Sequence, residues 1–366
     1  MKVNEAVPMC FSQKFRIRVF PIAIGLCTML ASCSSYGPKS MDRDQLDYGN
    51  SIGENWKNQM LANIVKLRFV DMPVFVDVGS IVAGYSLTTA VQGRVGFSDS
   101  FTGSDTQGIG ANGSFTDRPT ITYMPKTGDA YLRAIMEPVE PKKLLALIQA
   151  GYSAELLFTW SVEAINGIHN WSATAGKSSS ADPEFYEFVS LMQELQALGA
   201  IGFELESDPK TKHDVIFVLK KEGLAESTQQ KSLRAGKIIG LEEGRDRYRV
   251  VYAPFKTDSA TLAMQTRSVI QMLTAMSGFV TVPDEFASHA TPGYDISHAH
   301  VRPFQVHSGP DRPDESFAAV KYRGYWYWIE NSDIQSKRVF TLMLFITTLT
   351  NQATDGNAPV LTIPTS

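Results

Sequence analysis

The chain has little cysteine. Its three residues, Cys10, Cys27 and Cys33, all lie near the N-terminus, and none follows them. From position 34 onward that excludes disulfide frameworks, thiolate metal sites, cysteine nucleophiles and thiol redox chemistry. Long apolar runs are lacking too. No stretch after Cys33 approaches the roughly 20 apolar residues that a transmembrane helix needs. Nor is there an excess of positive charge. Lys2, Lys14, Arg16 and Arg18 stand against Glu5 in the first 32 residues, so the other 334 carry 30 basic and 37 acidic side chains, a formal charge of −7. A nucleic-acid binder would show a basic face, so nucleic acid is not an expected partner. The bulk composition, 43% hydrophobic and 20% charged, is that of an ordinary folded protein.

What is present begins with a leader. Lys14, Arg16 and Arg18 form a basic region, and residues 19–30 are an apolar run interrupted by Pro21. The run is too short to span a bilayer and suits a secretory signal. Leu30-Ala31-Ser32-Cys33 closes it, with small residues just before a cysteine. This stretch resembles the bacterial lipoprotein signal, which is cut just before its cysteine. The resemblance implies lipidation at Cys33, loss of residues 1–32 and attachment to the membrane through several acyl chains. Each buried methylene contributes about 0.8 kcal/mol, so one chain binds reversibly and two or more bind stably. In the family's sorting logic an Asp after the cysteine favours the inner membrane. Ser34 stands there instead, which implies the outer membrane, with the body in the periplasm.

The expected fold class is α+β, with helices mixed among mainly antiparallel strands and no regular βαβ repeat. Residues 33–48, polar and carrying Pro38, read as a lipidated tether. Residues 49–199 read as a helical region interrupted by a long β-hairpin at about 74–124, and 200–366 as an α+β region. Trp56, Met60, Ile64 and Leu67 share one helical face. Thr127 suits an N-cap, and Pro141 and Pro183 suit first helical turns. Gly151 and Gly199 suit helix ends. Apolar content extends a helix over 154–171 and another over 259–276. Strands are expected at 201–206, 215–220, 248–253, 301–307 and 317–329, a last helix at 333–350, and a short strand at 360–363.

The hairpin is the most suggestive part of the mature chain. Ile81, Ala83, Tyr85, Leu87, Thr89, Val91, Gly93, Val95 and Phe97 alternate with small or polar residues. After a Ser, Asp, Gly and Thr stretch, Ile109, Ala111, Phe115, Ile121 and Tyr123 alternate with Asn112, Ser114, Thr116, Thr120 and Thr122. Period-2 alternation marks a half-buried antiparallel pair. Its apolar face can pack on the protein's own helices. It can also face lipid, provided that several copies complete a barrel. Lipoproteins that build outer-membrane export channels, such as the curli secretion channel, are similar in this general pattern.

Motifs for chemistry are weak. His289, His298, His300 and His307 cluster with Asp295, and His298 and His300 would share a strand face. Two ligands fall short of the three or four of a zinc site, so no metal is expected. Lys126-Thr127-Gly128 and Ser207-x-x-Lys210 match penicillin-binding motifs in the wrong order. A serine-hydrolase nucleophile elbow is not expected. Gly176-Lys177-Ser178 is similar to the end of a phosphate loop, but Trp171 replaces its first glycine. The run Tyr325-Trp326-Tyr327-Trp328 could stack on sugars but reads as a strand buried between two layers. Residues 339–349 read as a buried helix. No catalytic residue and no cofactor is expected. The leading expectation is a non-enzymatic envelope lipoprotein with a structural or assembly role, working through envelope protein partners or self-association. The alternatives are an oligomeric outer-membrane channel or export component inserting the 81–123 hairpin, and a glycan-acting envelope enzyme.

Overall fold

The computed structural model describes residues 38–82, 85–96, 106–117, 120–174, 177–206, 214–256, 258–294 and 304–350. Two units are distinguished, residues 1–55 and 56–366. The first is described only over 38–55, which are helical. They belong to α1, Pro38–Arg68, so helix occupies most of the stretch read as tether. Pro38 suits a first helical position, and no glycine follows until Gly49.

The second unit is α+β with mainly antiparallel sheets. Its first strands form a ribbon, β1 (Val76–Val82) with β4 (Thr120–Pro125), and β2 (Tyr85–Gly96) with β3 (Thr106–Asp117). Helices α2 (Gly128–Met136), α3 (Pro141–Gln149) and α4 (Ala154–Ser161) follow. Pro141 occupies the first turn of α3 as expected, and Gly151 beyond it has φ of 97°. Thr127 holds the N-cap position of α2 but makes no side-chain cap bond.

The helix expected over 154–171 is corrected. It stops at Ser161, and β5 (Val162–Ile165) turns back through Asn166-Gly167 into β6 (Ile168–His169). Both turn residues have positive φ, 50° and 87°, as a tight hairpin turn requires. Asn170 finishes the break. Its buried amide donates to the carbonyls of Thr159 and Val162 at 2.8 and 2.7 Å and accepts from the Trp171 N–H at 2.8 Å.

The sheet beyond has the order β6-β5-β12-β11-β10-β9. Its members are β9 (Ile201–Glu206), β10 (Asp214–Leu219), β11 (Arg247–Val251) and β12 (Thr261–Thr266), and only β11–β12 is parallel. The helix expected over 259–276 is thus corrected as well. Its first part is the central strand β12, buried on both faces, and the helix α7 (Val269–Ser277) starts only at a capping box of Ser268 and Gln271. Helix α5 (Pro183–Ala197) carries Pro at its start and ends at Gly199, φ 64°. Helix α6 (Glu226–Ile238), unforeseen in the sequence, packs on α5. The short strand β8 (Lys177–Ser179) pairs with β7 (Ser172–Thr174).

The strand expected over 317–329 is two strands. β14 (Ala318–Tyr322) and β15 (Tyr325–Ile329) turn at Arg323-Gly324, φ 49° and 91°, and β13 (His307–Gly309) pairs with the other edge of β15. Helix α8 (Ile334–Thr350) closes the described chain. One apolar core joins Leu61 and Ile64 of α1 to Trp160, Met264, Phe304 and Phe340. At its centre Trp160 and Trp171 meet edge to face, ring centroids 5.4 Å apart. Arg267 is buried beside them. Its guanidinium donates to the Thr159 and Trp160 carbonyls at the end of α4, and to the Trp171 carbonyl. Burial lowers its pKa to about 10, against an opposing pull from Glu163 and Tyr294. A cation is well placed there, because a helix end presents unpaired carbonyls.

Candidate functional site

The ribbon is rooted on α1. The buried amide of Asn63 imitates a neighbouring strand: its Nδ2 donates to the Val74 carbonyl and its Oδ1 accepts the Val74 N–H, both at 2.9 Å. Gln59 Nε2 donates to the Val76 carbonyl at 3.0 Å. Phe75 is buried against Tyr131 of α2, ring centroids 6.0 Å apart. Neither Gln59 nor Asn63 carries a sequence signal, since an amide on a helix is ordinary until a strand arrives beside it. Among the described residues, β1 and β4 pair only with each other, and so do β2 and β3. All six residues of β4 are exposed, including Ile121, Met124 and Tyr123, the last 56% exposed.

A cleft of about 740 Å³ opens between the turn after α3, helix α5 and helix α8. Tyr152, Leu156, Phe317 and Ile334 give it apolar walls, and Lys337 and Arg338 stand at it. Lys337 Nζ is engaged by Asn331, through the carbonyl at 3.0 Å and Oδ1 at 3.1 Å. Gln196 is saturated, accepting from the Ala154 N–H and donating to the Ile148 and Tyr152 carbonyls.

A second cleft, about 880 Å³, lies along β11 and the loop before it. Its wall mixes Arg245, Arg247 and Arg249 with Glu242, Glu243 and Asp258, which leaves no preferred ligand sign. Lys221 is buried at its edge and spends all three ammonium protons, on the Glu242 and Arg245 carbonyls and the Tyr248 hydroxyl, at 3.0, 2.7 and 2.6 Å. Burial lowers the Lys221 pKa, opposed by Asp246, Glu243 and Glu242. With its donors committed, Lys221 ties the loop down and is not a free base.

Many of the residues singled out in the sequence fall outside the part of the chain that the structure describes. Cys33, Asp295, His298, His300, Ser207, Lys210 and Gly176 lie outside the described residues. His289 ends an exposed 3-10 turn, and His307 sits on β13, 5.8 Å from the Trp328 ring. No group of three or more candidate metal ligands occurs among the described residues. Lys126 and Thr127 precede α2 without a serine nucleophile beside them in sequence. A Gly-x-Ser-x-Gly string does exist, at 49–53, but it lies inside α1, where Ser51 Oγ donates to the Asp47 carbonyl at 2.8 Å. An elbow needs a strand-to-helix turn. The aromatic run of β15 divides. Tyr327 and Ile329 are buried as expected, but Trp326 and Trp328 are only half-buried on the other face, with Arg312 5.2 Å from the Trp326 ring. In α8, Val339, Phe340, Leu342, Met343 and Ile346 are buried, while Phe345 and Leu349 are exposed. Among the described residues no helix is long and apolar enough to cross a membrane. Comparison of the chain with protein-family models, curated proteins and solved structures finds no match to any of them.

Proposed function

We propose that this is a lipid-anchored protein of the bacterial outer membrane that acts through protein contacts, and that copies associate through the β1–β4 ribbon into a channel or export assembly. The observation that carries this reading is the register. Leu87 pairs with Phe115, Val91 with Ala111 and Gly93 with Ile109, while Ser86, Thr88 and Gln92 meet Thr116, Ser114 and Gly110. The two apolar series of the sequence therefore belong to one face and the polar series to the other. That is the alternation of a strand with lipid on one side and water on the other.

Each arm of β2–β3 is 12 residues long, against the roughly 9–11 that a tilted membrane strand needs. A single ribbon would bare two edges of backbone N–H and C=O to hydrocarbon, where each unpaired group is costly. A ring of copies removes both edges. With all ribbons pointing the same way, β2 of one copy runs antiparallel to β3 of the next. The acyl chains expected on Cys33 would hold every copy at the same membrane.

Electron microscopy of the detergent-extracted protein tests this. Rings are expected for the wild type. Val91→Arg, on the apolar face, should cost roughly 2–4 kcal/mol per copy near the bilayer midplane and abolish them, while Thr88→Arg should leave them. A monomeric wild type, or a segment 97–105 open to protease in the periplasm but never from outside the cell, would sink the proposal.

A further inference from the structure

We infer that the cleft between the α3–α4 turn, α5 and α8 binds the carboxylate and chain of a single fatty acid. Charge is the first reason. Arg338 and Lys337 are the charged residues among those lining the cleft, and no carboxylate joins them, although acidic side chains outnumber basic ones in the chain. Lys337 is held by Asn331. Arg338 is exposed and forms no ion pair among the described residues. A guanidinium matches one carboxylate through two parallel hydrogen bonds.

The walls give the second reason. Leu156 and Phe317 are half-buried there and Ile334 is 56% exposed, so three apolar side chains offer contiguous surface to an occupant of the cleft. Tyr152 and the exposed Phe345 stack edge to face at 5.4 Å beside it. The Gln196 amide has both N–H donors committed and its oxygen bonded to the Ala154 N–H, so it has no donor left to offer a carboxylate. Size is the third reason. A volume of about 740 Å³ lies within the ~300–1,000 Å³ usual for small-molecule sites, which suits one acyl chain better than a two-chain phospholipid.

Laurate labelled with ¹³C at its carboxyl is the probe. The full-length protein is placed in nanodiscs of zwitterionic lipid, where bilayer laurate and protein-bound laurate give separate resonances. About one bound equivalent per chain is expected. Arg338→Leu and Ile334→Glu both alter exposed positions and should leave the thermal melt unchanged. The first removes the carboxylate's partner and the second introduces a repelling charge, and each should weaken binding about tenfold or more. Laurate seen only in the bilayer, or a bound resonance indifferent to both variants, overturns the assignment. Because neither variant touches the ribbon, ring formation should be unchanged in both, whatever the outcome for laurate.

Discussion

Asn170→Asp replaces one nitrogen by oxygen and should still be among the most damaging single changes in the protein. The wild-type amide donates to the Thr159 and Val162 carbonyls at 2.8 and 2.7 Å, with the Phe158 carbonyl at 3.4 Å. Asp keeps the acceptor for the Trp171 N–H but, when ionised, has no donor. At least two buried carbonyls then face a carboxylate. Leaving the Val162 carbonyl without its side-chain donor costs about 1–3 kcal/mol, while the Thr159 carbonyl keeps Arg267 at 3.3 Å, so a loss of roughly 1–3 kcal/mol is expected at neutral pH. That is a large share of the 5–15 kcal/mol that holds a typical domain together. The pH dependence has a definite sign. Burial among carbonyls disfavours the charged form and outweighs the pull of Arg267, whose guanidinium is already committed to the Thr159, Trp160 and Trp171 carbonyls, so the folded pKa of the introduced carboxyl rises above the unfolded value of about 3.9. Once protonated, that carboxyl regains one donor. Its stabilising contribution is present below about pH 4 and is lost as pH rises through the folded pKa. Urea titrations at pH 4 and pH 7, followed by tryptophan fluorescence, read the difference directly. The gap between variant and wild type should be wider at pH 7 by about 1 kcal/mol or more, one hydrogen bond. Asn170→Leu, which cannot ionise, should show a gap that does not change with pH. Equal gaps at both pH values for Asn170→Asp, or a loss under about 1 kcal/mol at pH 7, would refute the reasoning.

Two further outcomes follow from the anchor and the core. Cys33→Ala should abolish incorporation of a labelled palmitate analogue and free the protein from the membrane; label retained in the variant would remove the lipoprotein reading. The buried hydroxyls of Tyr248 and Tyr327 are both pushed up to about 12, chiefly by burial, with Asp246 adding to the first and Arg323 opposing it at the second. A raised folded pKa stabilises below the unfolded value of about 10 and loses that contribution as pH climbs toward 12. Stability should therefore fall between about pH 10 and 12, with these two tyrosines ionising as the protein unfolds; tyrosinate absorbance showing every tyrosine ionised near pH 10 in a still-native circular dichroism spectrum would contradict it.

Much of the fold was legible where proline and glycine punctuate it. Pro141, Pro183, Gly151 and Gly199 mark helix ends in the sequence and in the structure. The two misread helices share a cause. A strand buried on both faces, such as β12, and a short β5 running straight on from α4 show no clean alternation of apolar and polar residues, so periodicity does not separate them from a buried helix. The decisive signals were the small ones, Asn166-Gly167 for a tight turn and Ser268 with Gln271 for a helix start. Helix α6 was invisible for the opposite reason: it buries Thr228, Ser232, Ala235 and Gly236, which make no apolar stripe. The hairpin's alternation needs only neighbours in sequence, whereas the cleft assembles Tyr152, Gln196, Phe317 and Arg338, whose proximity no local pattern records.

The base of the ribbon holds one residue too many. Val78 faces Tyr123 and Ser80 faces Thr122, so Gly79 is a bulge with no opposite number. Above it, the sum of paired residue numbers stays the same from Ser80↔Thr122 to Gly96↔Thr106, across residues 83–84. Gly79 is therefore the point at which the pairing steps by one residue. The clamp of Asn63 and Gln59 fixes the arm below the bulge, where even positions pair with odd ones, as in Val78↔Tyr123; above the single extra residue odd pairs with odd and even with even, as in Ile81↔Ile121. Deleting it would make Val78↔Tyr123 and Ser80↔Thr122 successive pairs of an unbroken ladder, removing the local bend and added twist while leaving the pairing of β2 as it is. One glycine, far from the tip and devoid of chemistry, thus shifts the numbering of the two paired arms by one and puts a bend at the root of the ribbon.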